Sequence, residues 1–194
     1  MIPIANPDLG TPEAESASEV IHSGMVADGE HVRAFEDAFS EFCNTNHGVA
    51  TSNGTTALHS GLKALGIGHG DQVVTTPFSF VSSANAIRLT GAKPVFADID
   101  PQTYNLDPES VADVVANRDI DAILTVHLYG LPSDLDALRE IADDRDLSLI
   151  EDCAQAHGAT YDGRPVGSVG DIGCFSFYPT KNMTTGEGGM VVTD

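Results

Sequence analysis

Basic residues are scarce in this chain. Nine lysines and arginines face 29 aspartates and glutamates, a formal net charge of −20 over 194 residues. So few cations leave no basic patch to displace counterions, which argues against nucleic-acid phosphate as a partner. Long apolar runs are missing too, since none approaches the ~20 residues a membrane-spanning helix requires. The opening residues Met1-Ile2-Pro3-Ile4-Ala5-Asn6 lack the basic start and apolar core of a secretory signal. Cysteine is limited to Cys43, Cys153 and Cys174, an odd count without metal-type pairing. Reduced thiols in a cytoplasmic protein without a metal site are the expectation.

The apolar fraction of 41% suits a globular chain, and the length suits one α/β domain with a sizeable core. The acids are scattered along the sequence and do not gather in a tail. Self-repulsion of that size weakens a compact fold in dilute buffer and is relieved by salt. A halophilic source fits this balance, and so does an ordinary acidic mesophile.

Helical and extended patterns alternate. Residues 30–45 set Val32, Phe35, Ala38, Phe39 and Phe42 at helical spacing. An extended segment at 47–51 leads to a helix at 55–65 closed by Gly66. Strands are expected at 72–76, 94–99, 122–128 and 148–153, with helices at 81–89, 108–116 and 135–142 between them. That order predicts a three-layer α/β/α domain with a mostly parallel sheet covered on both faces. Residues 171–178 and 189–193 read as two further strands joined by a turn-rich loop at 179–188.

Three short motifs could carry chemistry. Ser52-Asn53-Gly54-Thr55-Thr56 follows a strand and opens a helix, where free N–H groups can seat an anion or a side chain can cap the helix. Glu151-Asp152-Cys153-Ala154-Gln155-Ala156-His157-Gly158 ends a strand, where ligands of open α/β sheets gather. A carboxylate there is costly to desolvate unless a cation meets it. A Cys153/His157 nucleophile pair would lack a third, orienting group. The strongest signal is residues 176–189, which hold Lys181 in a polar turn of hydroxyls and glycines. A loop lysine is normally just solvated, yet this chain has only three lysines, Lys63, Lys93 and Lys181.

Together these motifs resemble the fold-type I pyridoxal-phosphate (PLP) enzymes of the DegT/StrS sugar-aminotransferase group. The resemblance extends to Gly29, Phe35 and Glu36 near the start, Thr76-Pro77-Phe78-Ser79-Phe80, and Val126-His127-Leu128-Tyr129-Gly130. It implies that Lys181 is the Schiff-base lysine and carries a proton during the reaction. It implies that Asp152 faces the pyridine nitrogen and keeps it protonated. A pair at ~4 Å with an effective dielectric near 20 gains about 4 kcal/mol, roughly three pKa units. It also implies that Gly54, Thr55 and Ser176 hold the phosphate, that Phe80 stacks on the ring and that Gln155 lies by its phenolic oxygen. His157 is expected to be structural.

The implied reaction moves an amino group from glutamate or glutamine to a keto sugar, nucleotide-linked in the simplest case. The implied working unit is a homodimer with neither nucleic acid nor membrane as partner. A related branch of dehydratases carries histidine in place of the lysine, so lysine at 181 favours transamination. A non-catalytic fragment or regulator of the same family is the alternative. The sequence stops one residue after its last strand, so a truncated large domain over residues 1–194, without the smaller C-terminal domain, is the expectation. That last strand is expected to lack cover and the segment alone to be incompetent as an enzyme.

If the charge reflects salt adaptation, the melting temperature should climb steeply between low and molar KCl as repulsion is screened. A flat melting temperature over that range would count against it.

Overall fold

Strands alternate with helices over the middle of the computed structural model, which describes residues 2–194. The first half runs α1 (Thr11–Ser23), α2 (Glu30–Cys43), β1 (His47–Thr51), α3 (Gly54–Ala64), β2 (Gln72–Thr75), α4 (Ser82–Thr90) and β3 (Lys93–Phe96). The second runs α5 (Pro108–Asn117), β4 (Ala122–Val126), α6 (Leu135–Arg145), β5 (Ser148–Asp152), a small hairpin β6 (Thr160–Tyr161) and β7 (Arg164–Pro165), then β8 (Ile172–Ser176) and β9 (Gly189–Thr193). The main sheet has the order β1-β9-β8-β5-β4-β2-β3. Strands β3, β2, β4, β5 and β8 run parallel, and β9 is antiparallel to both β8 and β1. The expected mostly parallel, three-layer α/β/α arrangement is what forms.

Side chains alternate across each strand, so a strand covered on both faces reads as a continuous apolar run. In β5, Ile150 faces the side of α3 and α4 and packs in a cluster with Leu58, Ala86 and Ile87. Its neighbour Leu149 faces the other side, with Val111 of α5 and Leu135 and Leu138 of α6. Helix α2 extends that second layer, placing Phe39 edge-on to Phe175 and Phe177 at 4.9 and 5.1 Å between ring centres.

The last strand corrects one expectation. β9 is an interior strand, flanked by β8 and β1, and Met190, Val191 and Val192 are all buried. Met190 and Val192 pack with Phe39 of α2, while Val191 joins the α3 cluster. Order along the chain is not order in space: the turn-rich loop returns β9 antiparallel, under helices that precede it in the sequence.

Other departures have local causes. α1 was not anticipated because it buries no residue and so shows no apolar period. Its start is marked by Pro12 and by Glu13, whose carboxylate accepts the Gly10 N–H at 2.7 Å. The β6–β7 hairpin turns on Asp162 and Gly163, both at positive φ (48° and 78°), a pairing that two-residue hairpins favour. The strand expected over 94–99 ends at Phe96, and Ile99 makes only an isolated bridge to Leu106.

At the end of β5 the pleat sends Glu151 into the α5–α6 layer, where it is fully buried. Its Oε1 accepts the N–H groups of Val169 (2.9 Å) and Gly170 (2.6 Å). Its Oε2 accepts the Gly167 N–H and His127 Nε2–H, both at 2.8 Å. The Ser133 N–H donates to His127 Nδ1 at 3.0 Å, which leaves the ring hydrogen on Nε2. All four carboxylate acceptor positions are therefore filled by protein donors, so the neighbouring His127, Glu151 and Cys153 have no oxygen to spare for a metal.

Burial alone would raise the Glu151 pKa, but the His127 bond and the Gly170 and Gly167 amides outweigh it and hold the group below its ordinary value. Its stabilising contribution is therefore complete above the ordinary carboxylate range and is lost as pH falls through the lowered value. Glu151→Gln should cost about 3 kcal/mol in a denaturant titration, because a side-chain NH2 would then face amide donors. An unchanged midpoint would show that these bonds do not hold the 167–170 loop.

Candidate active site

The carboxyl ends of the parallel strands and the starts of α3 and α4 enclose a cleft of about 560 Å³. Asn53 caps α3: its side chain accepts the Thr56 N–H at 2.9 Å, and Thr56 Oγ1 accepts the Asn53 N–H at 3.0 Å. The capping reading is thus satisfied by Asn53. The next two N–H groups, of Gly54 and Thr55, have no acceptor among the described residues. A Cβ at position 54 would lie 2.6 Å from Ser176 Cβ. Glycine there lets the end of β8 press against the first turn of α3, which sets the Ser176 hydroxyl beside the helix terminus. Thr55 Oγ1 meets Ser82 Oγ at 2.8 Å and ties that terminus to α4.

Asp152, one residue beyond Glu151, points to the opposite face and lines the cleft at 5% exposure. Its Oδ2 accepts the Ser83 hydroxyl at 2.9 Å and its Oδ1 the Ala154 N–H at 3.2 Å. No cation forms an ion pair with it among the described residues. Burial raises its pKa despite the pull of the Ala154 amide, the Ser83 hydroxyl and the Lys181 charge. A buried acid held ready but uncompensated fits a cationic ring nitrogen placed in the cleft.

Lys181 lines the same cleft from the β8–β9 loop, half-buried, with its backbone N–H bonded to Tyr178 O at 2.9 Å. Gln155 stands on another wall, where its Oε1 accepts the Tyr129 N–H at 2.8 Å and its NH2 is left for the cleft. Phe80 is 69% exposed at the rim. All seven residues singled out from the sequence, Gly54, Thr55, Phe80, Asp152, Gln155, Ser176 and Lys181, line this one cavity.

Two residues near the motif do not line the cleft. Cys153 is buried, with its thiol directed to Glu151 O at 3.7 Å; burial and the Glu151 and Asp152 charges push its pKa well up. His157 lies among Phe39, Phe175 and Phe177, and burial takes it down to about 4. Its ring packs against these three aromatics. Sequence reasoning missed Ser79, Ser82 and Ser83. The only signal was hydroxyls on either side of Phe80, which helix capping explains equally well.

The family model of the DegT/DnrJ/EryC1/StrS aminotransferases matches residues 7–194. The chain belongs to the DegT/DnrJ/EryC1/StrS aminotransferase family. Its relatives include a GDP-perosamine synthase of Escherichia coli O157:H7, 42% identical over all of this chain and 53% of the relative. An aminotransferase structure from Psychrobacter cryohalolentis is 45% identical and superposes with a TM-score of 0.93, over 97% of this chain and 49% of the other. The PLP form of Spr1654 from Streptococcus pneumoniae superposes with a TM-score of 0.94 at 29% identity, over 100% and 53% of the two chains. The chain thus spans about half the length of the relatives it matches. Members of the DegT/DnrJ/EryC1/StrS family depend on PLP, the cofactor that the cleft's donor set fits.

In the cofactor-free protein, the raised pKa of Asp152 means that stability is lost as pH rises past the ordinary Asp range. Asp152→Asn should therefore melt higher than the parent at neutral pH, with the difference closing in acid where Asp152 is protonated. A variant that melts lower at neutral pH would show that Asp152 is a structural acid.

Proposed function

We propose that this chain is the cofactor-binding part of a PLP-dependent aminotransferase acting on a keto sugar, nucleotide-linked, with glutamate or glutamine as amino donor. The carrying observation is that Lys181 and an uncompensated buried Asp152 line one cleft whose floor is an anion-seating helix terminus. A sugar-nucleotide substrate is supported by the relative named GDP-perosamine synthase. A homodimer working in the cytoplasm is part of the same reading.

In this reading the N–H groups of Gly54 and Thr55 and the hydroxyls of Thr55 and Ser176 take the phosphate, as helix N-termini do for anions. Asp152 would meet the ring nitrogen and keep it protonated, and Phe80 would cover one ring face. The free NH2 of Gln155 serves the phenolic oxygen. PLP supplies an electron sink for the carbon that loses its proton. Lys181 would hold the cofactor and would carry that proton as a general base and acid.

Reduction with borohydride in the presence of PLP, followed by peptide mapping, should place the phosphopyridoxyl group on Lys181. Lys63 sits in the last turn of α3 and Lys93 begins β3, both exposed and outside the cleft. A label on either in place of Lys181 would refute the assignment.

A further inference from the structure

The acid that faces the ring nitrogen does not position itself. Asp152 has two protein partners, and one of them, the Ser83 hydroxyl, comes from the first turn of α4, 69 residues away in sequence. Ser83 is 1% exposed and cannot exchange this bond for water. Its oxygen also lies 2.9 Å from Ser79 Oγ, and Ser79 lines the cleft. Besides Ser79 Oγ, the Phe80 carbonyl lies within reach of its hydroxyl as an acceptor, at a longer 3.4 Å.

Valence fixes the direction of this relay. An ionised carboxylate accepts only, so Ser83 must donate to Asp152, and Ser79 must then donate to Ser83. When Asp152 carries a proton, the same hydroxyl can accept it and turn its own hydrogen toward Phe80 O. Ser83 can therefore serve both charge states of the acid without moving, which neither a backbone amide nor an apolar residue could do.

We propose that Ser83 is a positioning residue for the cofactor, whose buried hydroxyl orients Asp152 and favours its ionised form in front of the ring nitrogen. This inference rests on the PLP reading above and deepens it. Ser83 touches no substrate and acts only through Asp152. Loss of a hydrogen bond to a buried charge has two consequences here: the cofactor binds more weakly, and the acid stays protonated to a higher pH.

The test is PLP affinity by equilibrium dialysis across the acid and neutral range, on the parent, Ser83→Ala, Ser83→Thr, Asp152→Asn and the Ser83→Ala/Asp152→Asn double variant. Ser83→Ala should weaken binding about tenfold to a hundredfold near neutrality and move the acid limb of the profile to higher pH. Ser83→Thr, which keeps the hydroxyl, should restore both. In the Asp152→Asn background the alanine should no longer move the limb, because no ionisation remains to shift. If Ser83→Ala does not fold, Ser83→Cys, with a similar shape and a weaker donor, must show the same direction. A parent that binds PLP beside an alanine variant with the same affinity and an unmoved limb would overturn the role of Ser83 alone. A parent that binds no PLP would overturn the cofactor reading and this inference with it.

Discussion

The site depends on the burial of two adjacent carboxylates at the end of one central strand. Because the pleat alternates, Glu151 and Asp152 leave β5 on opposite faces and meet different environments. Glu151 finds three backbone amides and an imidazole, which fill every acceptor position it has. Asp152 finds one amide and one hydroxyl and faces a cavity. The first acid is held below its ordinary pKa and the second above it, although they are neighbours in one peptide. Local wiring decides which acid is fully satisfied and which is left facing the cavity.

Several parts of the fold follow from keeping those two acids in place. The loop at 167–170 is anchored by Glu151, and it leads directly into β8, which carries Ser176 to the start of α3. His127 completes Glu151, and its own ring is held by the Ser133 N–H at the entry to α6. On the other face, α3 and α4 pack together over the sheet and contribute their N-termini to the cleft from the same direction. A parallel sheet makes this possible, because all its strands deliver their carboxyl ends to one edge. The antiparallel β9 then returns the chain after the lysine loop, so that loop is pinned at both ends by buried strands.

The site also shows stability set against function. A buried acid without a cation is unfavourable, and the fold offers it only two bonds. Exposed Phe80 and the unmatched N–H groups at α3 are further local deficits gathered in the same cavity. A bound dipolar ligand with a phosphate at one end and a cationic ring at the other would relieve all of them together.

Much of this was open to the sequence alone, and the reason is physical. The run Ala122–Val126 is buried at every position and apolar at four of its five residues because both sheet faces are covered, so its strand nature is local information. The resemblance carried by the motifs around Gly54, Asp152 and Lys181 named a family and seven site residues, and all seven line one cleft. Where the elements lie in space was not local. The interior place of β9 depends on pairing with β1, more than 140 residues earlier, as in the register of His47 with Thr193. α1 escaped notice because it buries nothing, and the Asp162–Gly163 hairpin because two-residue strands carry no period. Ser83 was invisible as a partner of Asp152, since a serine in a first helical turn has a sufficient local explanation in capping. Sequence determined which residue types were available and which segments had to be buried. Only the packing of α4 against the end of β5 decided that one serine among many would face the acid, because a hydrogen bond requires two groups within about 3 Å and chain spacing does not encode that distance.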